Sequence, residues 1–211
     1  DESAAGYTSV GFDVTDRLSV SADLRYDQER RSLTNNLNNV VQKRKDTYWT
    51  YRASADFKVD PEKMVYASIA KGVMAGFFNG VIDAPAGNVP IPVSLQNYKP
   101  STNITYEVGA KASWLDRRLT TNLAVFYINY KDLQIQTAPP PPLLTRLTTN
   151  AGGATAKGLE LSVDGRVSDR LSVGFGYAYV DPKFSKGTID LRTTTFCGVG
   201  NPPLCGPDIS G

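Results

Sequence analysis

Hydrophobic and polar residues alternate one by one along most of this chain. From Leu171 to Tyr179, large apolar side chains occupy every second position, with Ser, Gly and Ala between them. The same pattern runs over residues 18–30, 49–59 and 104–114. A period of two is typical of β-strands with one apolar and one polar face, and no stretch shows the helical period convincingly. The sequence therefore predicts an all-β protein.

Short polar turns and long connections alternate between these strands. The short turns are centred on four aspartates: Asp16, Asp60, Asp116 and Asp169. The long connections cover residues 32–46, 74–101, 138–149 and the segment from 185 onward. This order predicts about eight antiparallel strands with every short turn at one end. Transmembrane β-barrels have this asymmetry, because their periplasmic turns are short and their extracellular loops are long.

Strand length points in the same direction. The stretch from Leu18 to Arg30 alternates over 13 residues, whereas strands of soluble sheets average about 5–6. A tilted strand that crosses a membrane needs about 9–11 residues. We therefore predict an antiparallel wall of a transmembrane β-barrel.

Composition removes several classes of function. The chain has 211 residues, no histidine, two cysteines and a net charge of +2. Without histidine there is no Ser-His-Asp or Cys-His catalysis and no imidazole-bound metal, and two cysteines cannot form a Cys-only zinc site. The near-neutral charge gives no footprint for nucleic acid. A mean hydropathy of −0.28 is compatible with a barrel, since only alternate residues face lipid. We predict no cofactor and no metal site.

Alternation also assigns side chains to two surfaces. We expect five large side chains to face lipid or its interface: Tyr51, Phe57, Trp114, Phe175 and Tyr177. We expect six charged side chains to face a lumen: Arg52, Asp56, Glu107, Lys111, Glu160 and Asp164. Glu107 and Glu160 also suggest the carboxylate pair of a glycosidase, but a polar lumen explains both without chemistry. We predict that the protein is not an enzyme.

Five stretches, in order between residues 64 and 184, resemble strand motifs of TonB-dependent outer-membrane receptors. They are Val65–Gly72 with Gly76–Gly80, Tyr98–Pro100 with Thr105–Lys111, Phe126–Gln134, Asn150–Gly152 with Ala156–Leu161, and Tyr177–Asp181 with Phe184. Residues 1–63 fit by strand pattern alone. The resemblance implies the outer membrane of a Gram-negative bacterium, a 22-stranded barrel, a plug domain and coupling to the TonB complex.

On this resemblance, residues 1–211 are expected to be an internal part of the barrel, without the plug domain and without the first and last strands. The parent protein would take up a scarce solute, such as an iron-siderophore, cobalamin or a saccharide. Two other classes stay open at this point. One is a small complete outer-membrane barrel with a structural or adhesive role, and the other is a secreted β-sandwich that binds carbohydrate.

Two surface segments carry candidate binding residues. Phe77, Phe78 and Asn79 open the second long connection, where they contact the solute, join an aromatic girdle or form a loop core. A basic run flanks the first long connection: Arg30, Arg31, Lys43, Arg44 and Lys45. This run fits either the phosphates of lipopolysaccharide or a solvated charged surface, and the solvated surface is the simpler interpretation.

The two cysteines lie close together near the end of the chain. Cys197 and Cys205 are eight residues apart in a stretch rich in Gly and Pro, and such turn-forming composition can bring two Cα atoms within the ~4.4–6.8 Å that a disulfide needs. The periplasm is oxidising, so we expect a disulfide between them.

Overall fold

Eight long strands form one antiparallel sheet in the computed structural model, which describes residues 1–34, 41–79, 95–137 and 147–189 and the backbone of 195–196 and 204–205. The long strands are β1 (Glu2–Asp13), β2 (Leu18–Thr34), β3 (Val41–Asp60), β4 (Lys63–Met74), β7 (Ser101–Trp114), β8 (Leu119–Lys131), β11 (Ala154–Ser168) and β12 (Leu171–Phe184). Short strands form three two-stranded ribbons: β5 (Phe77–Phe78) with β6 (Asn97–Tyr98), β9 (Gln134–Thr137) with β10 (Leu147–Asn150), and β13 (Thr195–Phe196) with β14 (Leu204–Cys205).

The long strands follow one another as a meander. Each pairs with the next long strand along the chain, in the order β1-β2-β3-β4-β7-β8-β11-β12. The four short turns lie at one end of the sheet and the long connections at the other, so the prediction of eight antiparallel strands is confirmed. One boundary was wrong: the predicted connection 32–46 is shorter, because β2 continues to Thr34 and β3 begins at Val41.

The register separates an apolar face from a polar face. Residues directly opposite each other in an antiparallel pair lie on the same face. One such line crosses seven strands: Leu18, Phe57, Val65, Ala110, Leu123, Leu161 and Tyr177. The neighbouring line is mostly polar or small: Ser19, Asp56, Tyr66, Gly109, Ala124, Glu160 and Ala178. The alternation in the sequence therefore becomes two distinct surfaces.

The strands are slanted relative to the line of turns. Cross-strand pairing connects Phe12 on β1, through each strand in turn, to Tyr179 on β12. Phe12 lies one residue from the turn end of β1, whereas Tyr179 lies eight residues from the turn end of β12. It therefore climbs about one residue per strand, and with a rise of ~3.3 Å per residue and ~4.8 Å between strands the slant is about 35°. Transmembrane β-barrels have strands tilted by about 35–45°.

Aromatic side chains mark the border of the apolar face nearest the long connections. Tyr26 packs against Trp49 with ring centroids 4.8 Å apart, and Tyr106 lies 6.5 Å from Tyr127. Tyr26, Tyr106 and Tyr127 are each eight residues from their own turn. At the slant above, eight residues correspond to a height of about 22 Å, close to the ~25 Å apolar band of outer-membrane barrels.

The turn end of the sheet carries charges of both signs. At the β3–β4 turn, Lys63 Nζ lies 2.9 Å from Asp60 Oδ2 and 4.9 Å from the centre of the Trp114 ring. The hydrogen bond from Lys63, with one from the backbone N–H of Glu62, holds the pKa of Asp60 below its usual value. This turn is therefore closed by Asp60 as the sequence predicts.

The sheet is a single layer and its apolar face is uncovered. Val108 is 61% exposed and Phe175 59% exposed, whereas a β-sandwich buries such residues between two sheets. The sandwich alternative is therefore wrong. The described residues contain no helix long and apolar enough to cross a membrane. Buried side chains in this part of the chain gather instead near the long connections, at Tyr48, Phe78, Leu147 and Ala151.

The predicted disulfide falls largely outside the described residues. Cys197 is not among them, and of Cys205 only the backbone is described, in β14 opposite Thr195. This register gives the Cys197–Cys205 bond no direct support, and it stays a prediction.

Candidate functional site

The polar face of the sheet carries all six predicted lumen residues. Arg52 and Asp56 lie on β3, Glu107 and Lys111 on β7, and Glu160 and Asp164 on β11, and the cross-strand register places them on one face. The five predicted lipid-facing residues share the opposite face: Tyr51, Phe57, Trp114, Phe175 and Tyr177. The two sets are thus separated as the alternation predicts, while their contact with lipid or lumen stays a prediction.

A compact cluster forms around Tyr66 on this face. Its hydroxyl donates a hydrogen bond of 2.7 Å to Glu107 Oε1, and Lys111 Nζ lies 5.2 Å from the centre of its ring. Gly109 is directly opposite Tyr66, and a Cβ at Gly109 would lie 2.5 Å from the ring. The absence of a side chain at Gly109 therefore lets the Tyr66 ring lie flat on the wall, which is a structural use of this glycine.

Glu107 and Glu160 are not direct neighbours on the sheet. Glu107 pairs with Phe126, whereas Glu160 pairs with Ala124, so they are two strands and two residues apart. This offset separates their Cα atoms by about 12 Å. Glu107 is bound instead by the hydroxyl of Tyr66, so a polar lumen explains both carboxylates without chemistry.

Side-chain hydrogen bonds join four segments between the long strands, residues 75–79, 95–100, 132–137 and 147–153, which we call the loop platform. Asn79 holds it together from the inside and is only 7% exposed. Its Nδ2 donates to the carbonyls of Leu95 and Thr148, both at 2.7 Å, and its Oδ1 accepts the backbone N–H of Thr148 at 2.7 Å. One side chain therefore joins the second long connection to the third.

Two further amides join the same segments. Gln134 Nε2 donates to the carbonyls of Ala75 and Lys99, both at 2.9 Å. Asn150 Oδ1 accepts the backbone N–H of Lys99 at 2.7 Å, and its Nδ2 donates to the carbonyl of Asp132 at 2.8 Å. These contacts fix where the long connections leave the sheet.

Two arginines anchor the loop platform to the polar face of β2 and β3. Arg31 Nη1 donates to the carbonyl of Gly76 at 2.6 Å, and its guanidinium lies 5.1 Å from the centre of the Phe77 ring. Arg44 Nη1 donates to the carbonyl of Tyr98 at 2.6 Å. Each arginine also pairs with a carboxylate on its own strand, Glu29 at 2.6 Å and Asp46 respectively.

The predicted basic run is therefore not one surface. Because β2 and β3 extend through it, its five residues alternate between faces. Arg31 and Arg44 lie on the polar face beneath the loop platform, and Arg30, Lys43 and Lys45 lie on the opposite face.

The three candidate ligand residues differ in their surroundings. Phe78 and Asn79 are buried, and the amide of Asn79 is occupied by the bonds described above. Phe77 is 37% exposed and packs edge to face against Phe78, with ring centroids 5.7 Å apart. Contact with a solute stays a prediction, and this geometry favours Phe77 for it. Sequence reasoning missed Gln134 and Asn150 as structural residues, although both lie in the recognised motifs.

The sequence that forms this sheet and loop platform matches a known protein family. A family model described as "TonB dependent receptor-like, beta-barrel" matches residues 1–202. The chain belongs to this family. TonB-dependent receptors are transporters of the outer membrane of Gram-negative bacteria and are not enzymes. The strand motifs that indicated this family in the sequence supply the side chains of the loop platform.

Curated relatives of this TonB-dependent receptor chain are longer than it is. A probable TonB-dependent siderophore receptor, PiuA of Acinetobacter baumannii, is 25% identical over 201 residues, which cover 91% of this chain and 25% of the relative. The ferrioxamine receptor of Yersinia enterocolitica is 28% identical over 184 residues, 87% of this chain and 22% of the relative. The chain thus spans about a quarter of the curated relatives it matches.

Solved receptors share the fold. The ferric yersiniabactin uptake receptor FyuA from Yersinia pestis superposes with a TM-score of 0.65 at 22% identity, covering 87% of this chain and 27% of FyuA. The ferripyoverdine receptor of Pseudomonas aeruginosa gives a TM-score of 0.63 at 23% identity, covering 86% of this chain and 23% of the receptor. The open eight-stranded sheet therefore matches part of a TonB-dependent receptor barrel.

Proposed function

We propose that this chain is part of the wall of a TonB-driven outer-membrane importer of an iron-siderophore or a similar metal chelate. The observation that carries the proposal is the two-faced sheet topped by the loop platform, matched by the family over residues 1–202. Relatives named as a siderophore receptor and a ferrioxamine receptor favour this class of solute. Cobalamin and saccharides are the other solutes to test.

In this proposal the polar face lines the lumen and meets the plug domain. Charged groups such as Arg52, Glu107 and Glu160 would then contact water and the plug, where polar groups retain hydrogen-bonding partners. The apolar face would contact lipid hydrocarbon. The residues of the chain would bind, orient and enclose the solute. The energy that opens the channel would come from the TonB complex.

The uptake experiment uses the whole receptor in its own bacterium. We expect deletion of its gene to abolish uptake of radioactive iron from one siderophore class under iron limitation, and a plasmid copy to restore it. Deletion of tonB should abolish the same uptake, because the receptor depends on that motor. Unchanged uptake of every ferric chelate, with lost uptake of cobalamin or a saccharide, would contradict the iron proposal and keep the transport class.

Orientation gives a separate prediction. We expect the turns at Asp16, Asp60, Asp116 and Asp169 to face the periplasm, since outer-membrane barrels have short periplasmic turns. A peptide epitope inserted at residues 36–39 should bind antibody on intact cells. The same epitope inserted at Asp116 should bind only after permeabilisation. The reverse labelling pattern would invert the orientation and overturn this prediction.

A further inference from the structure

Three cations form a patch on the apolar-band face of β2 and β3, beyond its aromatic border. Arg30 lies directly opposite Lys45, and Lys43 is opposite Ser32 on the same face. All three side chains are exposed. We call Arg30, Lys43 and Lys45 the outer basic patch.

The outer basic patch is only partly compensated by carboxylates: Glu2 lies directly opposite Arg30, and Asp1 Oδ1 accepts the backbone N–H of Ser32 at 3.2 Å. Like charges directly opposite each other on neighbouring strands destabilise the pair, and Arg30 and Lys45 are such a pair. Glu2 is the one carboxylate within 4.0 Å of Arg30 among the described residues. In this part of the chain no carboxylate lies within 4.0 Å of Lys43 or Lys45. An anion between the strands would relieve this repulsion.

Cations on the opposite face of β2 and β3 do have partners within the protein. Arg31 and Arg44 lie next in sequence to Arg30 and Lys45, yet each has a carboxylate partner and a backbone carbonyl to bind. The inward cations are therefore satisfied by the protein, whereas Lys43 and Lys45 on the outward face have no carboxylate within 4.0 Å in the part of the chain that the structure describes.

Height above the turns places the outer basic patch at the membrane surface. Arg30 is four residues beyond Tyr26, and Lys45 is four residues beyond Trp49. At the slant of the strands, four residues raise both cations about 11 Å above the aromatic pair. Long Lys and Arg side chains reach along such a surface to phosphate groups beside the hydrocarbon region.

Further cations lie near the same height on this face of β8, β11 and β12. Lys131 and Lys183 lie 12 residues from their turns, beyond the aromatic border, and Lys157 lies directly opposite Tyr127 at the border. Asp181 is the carboxylate among them, 3.7 Å from Lys157 and 3.9 Å from Lys183. The turn end, in contrast, mixes aspartates with arginines, so the excess of positive charge is confined to the loop side.

We propose that the outer basic patch binds the phosphate groups of lipopolysaccharide in the outer leaflet. The orientation, with the loop platform outside the cell, rests on the proposed function. Phosphate is the ligand that matches three exposed cations of which two, Lys43 and Lys45, have no carboxylate within 4.0 Å among the described residues. Charge-assisted hydrogen bonds from Arg and Lys are the usual contacts of phosphate. The lipid in turn fixes this strand pair at a set depth.

The test uses the whole receptor, purified in detergent and titrated with a fluorescent rough lipopolysaccharide. The variant Arg30→Gln/Lys43→Gln/Lys45→Gln should weaken binding by roughly tenfold to 100-fold, because each basic residue near an anionic surface contributes about fivefold. The control Arg17→Gln/Arg118→Gln/Arg170→Gln removes the same charge from exposed positions at the turn end. It should change binding by less than about twofold.

Several results would overturn the proposal. These are unchanged binding by the triple variant, equal weakening by the control, equal binding of dephosphorylated lipopolysaccharide, or displacement by millimolar inorganic phosphate alone. Heat-modifiable migration first establishes that each variant is folded. If the triple variant does not fold, Lys43→Gln and Lys45→Gln alone should each weaken binding by about fivefold. Because binding is measured without solute, failure of iron uptake would contradict the proposed function and leave this result intact.

Discussion

Leu123→Arg is expected to prevent assembly of the receptor, whereas Asn122→Arg is expected to be tolerated. Leu123 lies on the apolar face, four residues from its turn and 44% exposed. This places it near the middle of the apolar band, where an arginine facing lipid destabilises a barrel by about 2–4 kcal/mol. The measurement is the amount of receptor in the outer membrane that shows heat-modifiable migration.

The adjacent residue is the matched control. Asn122 lies on the same strand but on the polar face, where its amide donates 3.2 Å to the hydroxyl of Ser162. An arginine there would have water and polar neighbours, so both variants add the same side chain at nearly the same height. If Asn122→Arg fails to assemble and Leu123→Arg assembles, the faces are exchanged, as a register slip of one residue would do.

Asn79→Ala is expected to loosen the loop platform without unfolding the sheet. The substitution removes three hydrogen bonds and leaves the carbonyls of Leu95 and Thr148 and the N–H of Thr148 without this partner. Buried polar groups left unpaired cost about 1–3 kcal/mol. Hydrogen exchange at the amide of Thr148 should therefore accelerate by roughly tenfold to 100-fold in the whole receptor.

A second asparagine provides the comparison. Asn122→Ala removes an exposed amide with one bond to Ser162, so exchange in the loop platform should stay as in the unmodified receptor. Asn79→Asp keeps the acceptor for the N–H of Thr148 but loses both donated bonds, and should give an intermediate rate. Unchanged exchange in Asn79→Ala would mean that this residue does not hold the long connections together.

The strands and faces were predictable because each depends on local pattern. A period of two places Leu123 and Phe175 on one surface whatever their partners are, and aspartates mark the turns. Strand ends were less predictable: polar, charged segments such as residues 41–46 do not look like strands in sequence. Their backbone is paired because the strands continue above the apolar band, where no apolar alternation is needed.

The contacts of the loop platform could not be predicted from the sequence, for a different reason. Asn79, Gln134 and Asn150 bind backbone carbonyls of segments far away in sequence, and no period or spacing encodes which carbonyl an amide will meet. The sequence motifs did mark these residues, but a motif shows that a residue type recurs in a family, not what it contacts. The sequence therefore makes Asn79 a candidate for the solute, although its amide is occupied by backbone groups.

The slant of the strands has a consequence for how the two ends of the wall communicate. Over about 14 residues a strand tilted by about 35° moves sideways by about 26 Å, the width of four to five strands. The loop end of a strand therefore stands above a turn belonging to a different hairpin. If one hairpin were transferred from one relative into another, its loop-side segment would lie above strands of the recipient protein, with which it had never packed. Chimaeras intended to exchange solute preference should therefore transfer blocks of several adjacent strands.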